Sequence, residues 1–97
     1  MQSQSRLRQM IMDAIADDYE QLESILSQVR PWAEIERVQA NDEEIIRLLI
    51  ELITDGSAKA FRLSPTAPPL SVNEISPGEL HDLYFLLSER GRSELAG

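Results

Sequence analysis

Few residue types in this 97-residue chain could do chemistry, and their spacing points away from catalysis. His81 is the one histidine, flanked by Glu79 and Asp82. A catalytic histidine needs a nucleophile or substrate within reach and a carboxylate that orients it. Sequence neighbours commonly point apart, so His81 reads as a surface or loop residue. Nor does the trio have a metal-ligand spacing. There is no cysteine, which removes disulfides, thiolate nucleophiles and zinc–thiolate sites together. The acid clusters Asp17-Asp18 and Asp42-Glu43-Glu44 lack the alternating loop and central glycine that calcium requires. Acids at helix N-termini have a simpler task, complementing the macrodipole. The four glycines, Gly56, Gly78, Gly91 and Gly97, are too scattered to cradle a phosphate. The chain is therefore expected to be non-enzymatic, with no cofactor and no metal.

Composition sets further limits. The length suits one domain with a single modest core, and 42% hydrophobic with 27% charged residues is ordinary for a globular protein. A formal charge of −8 disfavours nucleic acid and anionic membrane as main partners, although a local basic patch can override that average. No apolar run is long enough to span a bilayer and no leader pattern opens the chain. The expected address is the cytoplasm.

The elements that would carry any site are legible from period and punctuation. Leu7, Met10, Ile11, Ala14 and Ile15 form one stripe and predict a helix over 6–16, with Met12 at its edge. Asp17 or Asp18, with Gln21 following, offers a cap for a second helix over 18–30. Its apolar side is Tyr19, Leu22, Ile25, Leu26 and Val29, and Pro31 is expected to end it. Trp32 reads as a core anchor. Ile35 and Val38 fit either a short helix or an irregular link. Asn41, with Glu44 three residues on, caps a third helix over 41–55 whose core side is Ile45, Leu48, Leu49, Leu52 and Ile53. Gly56 suits the left-handed residue that closes it. Strands are expected over 57–64 and 83–88, joined by a proline-rich wing loop, 65–82. Ala58 and Ala60 blur the first strand's register. Ser76-Pro77-Gly78-Glu79 predicts one helical turn ending near Asp82, and Ser88 a cap for a last turn through Leu95.

Two segments carry a resemblance. Leu48-Leu49-Ile50-Glu51-Leu52-Ile53-Thr54-Asp55-Gly56 resembles the end of a winged-helix third helix entering its hairpin. Tyr84-Phe85-Leu86-Leu87-Ser88-Glu89-Arg90-Gly91-Arg92 resembles the returning strand and hydroxyl-x-x-glycine turn of bacterial winged-helix regulators. Together they cover about a fifth of the chain directly, and the helix order extends the likeness to most of it. The resemblance implies an α+β fold, a winged-helix-like three-helix bundle followed by a two-stranded β-wing. It also implies that 41–55 occupies the place of a DNA-reading helix.

The chemistry of that helix departs from the family's usual use. Asp42, Glu43, Glu44, Glu51 and Asp55 against Arg47 leave a net of −4, where phosphate neutralisation calls for Lys and Arg. Glu43, Arg47 and Glu51 line up at i, i+4, i+8, so Arg47 can pair on either side rather than reach a guanine. Ile46 and Ile50 widen the apolar band beyond the core stripe. That band predicts either a helix packed from two sides or a face that meets another protein or a second copy. The expected function is a non-enzymatic interaction or regulatory module, with Ile46, Ile50, Glu43, Arg47 and Glu51 meeting a protein partner or closing a homodimer. The alternative is a DNA-binding transcriptional regulator gripping phosphates through Lys59, Arg62, Arg90 and Arg92.

Overall fold

Apolar stripes at helical period pull three helices together. A computed structural model describes residues 2–75 and 77–97. Its elements are α1 (Gln2–Ala14), β1 (Glu20–Gln21), α2 (Leu22–Ile35), α3 (Asp42–Thr54), β2 (Ala58–Ser64), β3 (Ala67–Val72), a 3-10 helix (Pro77–Asp82), β4 (Tyr84–Leu87) and α4 (Glu89–Ala96). Leu7, Met10, Ile11, Met12 and Ile15 are buried against Leu22, Ile25, Leu26, Val29 and Ala33 of α2, and Ile45, Leu48, Leu49 and Leu52 of α3. Each large aliphatic side chain taken from water stabilises by roughly 1.5–3 kcal/mol, which is what holds so small a domain.

The sheet closes one side of this core. Its strand order is β1-β4-β2-β3, with every neighbouring pair antiparallel. Ala58 lies opposite Leu87 and Ala60 opposite Phe85, and all four are buried. The two alanines that blur the sequence alternation are thus the inward-facing pair of β2, whose burial alternates from Ala58 to Ala60. On the outer face, Phe61 meets Tyr19 edge to face with ring centroids 5.2 Å apart.

Caps read from the sequence are largely in place. The Asn41 side chain accepts from the Glu44 amide at 2.9 Å, and Gly56 takes the left-handed conformation at φ +85°. The Ser88 hydroxyl accepts from the Gly91 amide at 3.1 Å and donates to the Gly56 carbonyl at 2.6 Å. The expected cap at Ser76 lies outside the described residues; the turn beyond it forms as the 3-10 helix.

Four expectations are corrected. Pro31 does not end α2, which runs on to Ile35. Pro31 and Ser27 are both exposed, so the carbonyl deprived of its hydrogen bond sits on the wet side. Neither Asp17 nor Asp18 caps α2; the Asp18 carboxylate accepts from the Tyr19 amide instead, and the short strand β1 intervenes before a cap position at Gln21 with no side-chain bond. The first helix starts earlier than expected and ends at Ala14. The interval 65–82 is not a plain loop, because β3 folds back on β2 and makes the sheet four-stranded.

Polar clasps tie the termini down. Arg8 reaches Asp55 at 3.0 Å and Glu94 at 2.9 Å, linking α1 to the end of α3 and to α4. Arg6 holds Glu36 in a two-pronged bond at 2.7 and 2.6 Å, its guanidinium 5.1 Å from the Trp32 ring centre. The Trp32 indole N–H donates to the same carboxylate. Trp32 is half-buried against the core, so it anchors through its ring and keeps its polar edge wet.

Candidate functional site

In this fold α3 is the helix beside the wing, and its outer side is negative. Asp42, Glu43, Arg47, Ile50, Glu51 and Thr54 are exposed. Arg47 pairs with Glu51 at 3.4 Å, with both side chains about half exposed, an arrangement that contributes at most about 0.5 kcal/mol. Its guanidinium has a carboxylate competitor in place. Arg30 of α2 reaches Asp42 at 3.1 Å. The remaining acids leave a field that repels phosphate.

The apolar band is packed from two sides for most of its width. Ile46 and Ile53 are half-buried against the core. The chain leaving β3 returns along this flank, and Asn73 and Ile75 share a groove with Ile50, Ile53 and Thr54. Ile50 keeps 39% of its surface exposed. The wing insertion supplies part of the second wall.

Of the basic residues expected to form a patch, the structure brings only some together. Arg62 is committed to Glu79 at 2.6 Å. Lys59 and Gly56 line one recess of about 300 Å³, and the Arg90 side chain lies 3.9 Å from where a β-carbon on Gly56 would stand. These two cations therefore border the C-terminal end of α3. Arg92 is two residues further along α4, about 200° around the helix, and faces elsewhere. Among the described residues Lys59, Arg90 and Arg92 have no carboxylate partner, and neither has Arg37.

Arg37 is a candidate that periodicity and spacing did not single out. It is exposed in the turn between α2 and α3 with φ +59°, a conformation costly for any residue but glycine. Its amide donates to the Glu34 carbonyl at 3.1 Å and the next amide to the Ala33 carbonyl at 2.8 Å, which closes α2. Among the described residues, cations without a carboxylate partner thus occur in the turn before α3 and beside its C-terminal end, α3 itself being 13 residues and about 20 Å long.

His81 lies 3.0 Å from Glu23 with both side chains well exposed, a surface contact between the 3-10 helix and α2. Among the described residues no three His, Cys, Asp or Glu side chains are grouped as a metal site would need. No helix among them is long and apolar enough to cross a membrane.

The chain matches no protein-family model and no curated protein. Among solved structures it is similar to a PadR-like transcription factor from Bacteroides fragilis, with 18% identity and a TM-score of 0.59. The likeness covers 96% of this chain and 76% of that one. It is a likeness of fold: three helices, an antiparallel sheet and a wing define a winged-helix domain. At 18% identity the likeness carries the fold and not a role.

Proposed function

We propose that this chain is a winged-helix transcriptional regulator that binds duplex DNA chiefly through phosphate contacts made beyond the ends of α3. The observation that carries the reading is the pair of unpaired cationic positions flanking that helix, Arg37 on one side and Lys59 with Arg90 on the other. The likeness to a transcription factor supports the same reading. The acidic outer side of α3 sets its limit: affinity is low, steeply salt-dependent and poor in base discrimination. Three phosphate contacts imply a slope of log affinity against log salt of about −2.7. Fluorescence anisotropy of a labelled random duplex at low salt tests this. Joint reversal of Arg37, Lys59 and Arg90 to Glu should abolish the signal. Absence of binding by the native chain at high micromolar concentration would end the reading.

A second reading, protein contact, is favoured by one observation: Ile50 is exposed beside Glu43, Arg47 and Glu51. Here Ile46, Ile50 and the acids meet a partner protein or a second copy. Light scattering across concentration separates self-association from a foreign partner, and Ile50→Glu should dissolve a dimer.

A further inference from the structure

β3 stops one hydrogen-bonded pair short of covering Ala58. Its last pair beside α3 is Val72 opposite Ala60, and continuing that register would set Glu74 opposite Ala58. The hydrogen bonds of an antiparallel ladder alternate between the two flanks of a strand. The Ser57 carbonyl accepts the Ser88 amide, and the Leu87 amide turns away to the Ile15 carbonyl. Ala58, opposite Leu87, therefore aims its own N–H and C=O away from β4, at the flank that β3 has left. Ala58 is buried, and no backbone or side-chain group among the described residues bonds it there. Buried peptide groups are seldom left so. The recess of about 300 Å³ lined by Gly56, Ala58, Lys59 and Asn73 lies on this flank.

Side-chain alternation explains the stop. Val72 packs against the core from the inward row of β3. Two residues on, Glu74 would enter the same row, where a carboxylate needs a partner. Two cations are at hand. Lys59 lines the recess, and Arg90 lies beside Gly56, diagonal to the place Glu74 would take. Among the described residues neither cation has a carboxylate partner, and exposed Glu74 has no ion pair.

We propose that residues 73–75 are a strap that closes on β2: Glu74 pairs with Ala58, its carboxylate meets Arg90 and Lys59, and those two cations are withheld from DNA. Closure gains two backbone hydrogen bonds and an ion pair. It gives up the packing of Ile75, which leaves the groove beside Ile50 for the outer row of the sheet. The opposed contributions favour a switch between two arrangements over a fixed contact. The closure stands by itself, whereas its regulatory half rests on the DNA reading and names how that site is masked.

Hydrogen exchange of the full chain, read by NMR, tests the closure. Glu74→Val clears the charge from the inward row and should slow exchange of the Ala58 amide by about tenfold or more, with Ala60 unchanged. The α-protons of Lys59 and Asn73, a close pair without hydrogen bonds in the closed register, should come into contact. Glu74→Pro has no amide to give the Ala58 carbonyl and should not slow exchange. An Ala58 amide no slower in Glu74→Val, or slowed equally by the proline, overturns the strap. Anisotropy with a random duplex at low salt tests the masking. Glu74→Gln should tighten binding at least about threefold more than Glu43→Gln, which removes a charge from the exposed side of α3 and leaves the strap alone. Equal gains from the two variants overturn the masking and leave a diffuse field in its place. Failure of the parent and Glu74→Gln alike to bind ends the DNA reading and the masking with it, while the exchange result still decides the strap.

Discussion

The carbonyl oxygen of Ser57 lies 2.1 Å from the point a β-carbon on Gly91 would occupy. The same oxygen accepts the Ser88 amide at 3.0 Å, so it cannot swing away without losing the bond that seats α4. Leu87 crowds the same point from its side chain, at 2.6 Å. Gly91→Ala should therefore destabilise by about 1–3 kcal/mol, and by more if α4 detaches. Urea unfolding measures it, and a variant as stable as the parent would show that α4 shifts freely.

Pro31 gives an opposite expectation. It is exposed near the end of α2, where it removes one hydrogen bond without disturbing Val29 or Ala33 in the core. Pro31→Ala restores the bond to the Ser27 carbonyl. The full helix penalty of proline is about 3 kcal/mol, but alanine also returns entropy to the unfolded chain. A net gain of about 1 kcal/mol is expected in thermal unfolding. A loss would mean that the proline shapes the turn leading to Arg37.

These two residues show what the sequence does and does not carry. The Ser-x-x-Gly turn at Ser88 and Gly91 is legible because its chemistry is local, as is the Asn41 cap. The core stripes of α1 and α3 are legible because burial repeats at the helical period. Pro31 misled because a proline's effect depends on which way its missing bond faces, and that is a tertiary fact. β1 is two residues long and has no period to detect. β3 is exposed along nearly its whole length, so Ala67–Val72 shows no alternation, and its prolines suit an unpaired edge. Arg37 is an unremarkable residue until its backbone angle, and the lack of a carboxylate partner for its guanidinium among the described residues, are seen. Ile75 becomes part of a groove only because β3 turns the chain back toward Ile50.

The proposed DNA reading makes opposite predictions for Arg62 and Arg90. Both are arginines near the wing, but Glu79 already holds Arg62 at 2.6 Å. Arg90→Gln should weaken duplex binding and flatten the salt slope by about one, since one phosphate contact is lost. Arg62→Gln should leave both nearly unchanged. Equal losses from the two variants would show that a diffuse field, not the sites beyond α3, attracts the duplex.

Arg8 supplies a pH signature. Asp55 feels two opposed influences: partial burial pushes its carboxyl up, while bonds from Ser57 and Arg8 pull it down and prevail. The Arg8 bond holds Glu94 below the usual carboxylate range, against a smaller cost of burial. Both groups are thus more acidic folded than unfolded. Their contribution is complete above the unfolded carboxylate range, about 4, and is lost as pH falls through the lower folded values. Arg8→Met should cost about 1–2 kcal/mol at neutral pH, discounted from the buried-pair figure because Asp55 and Glu94 are 37% and 44% exposed. The gap between parent and variant should narrow as pH drops below about 4. Urea unfolding at a series of pH values measures that gap. If it stays constant through the acid range, Arg8 holds α1, α3 and α4 together by packing of its aliphatic stem rather than by its two carboxylate partners.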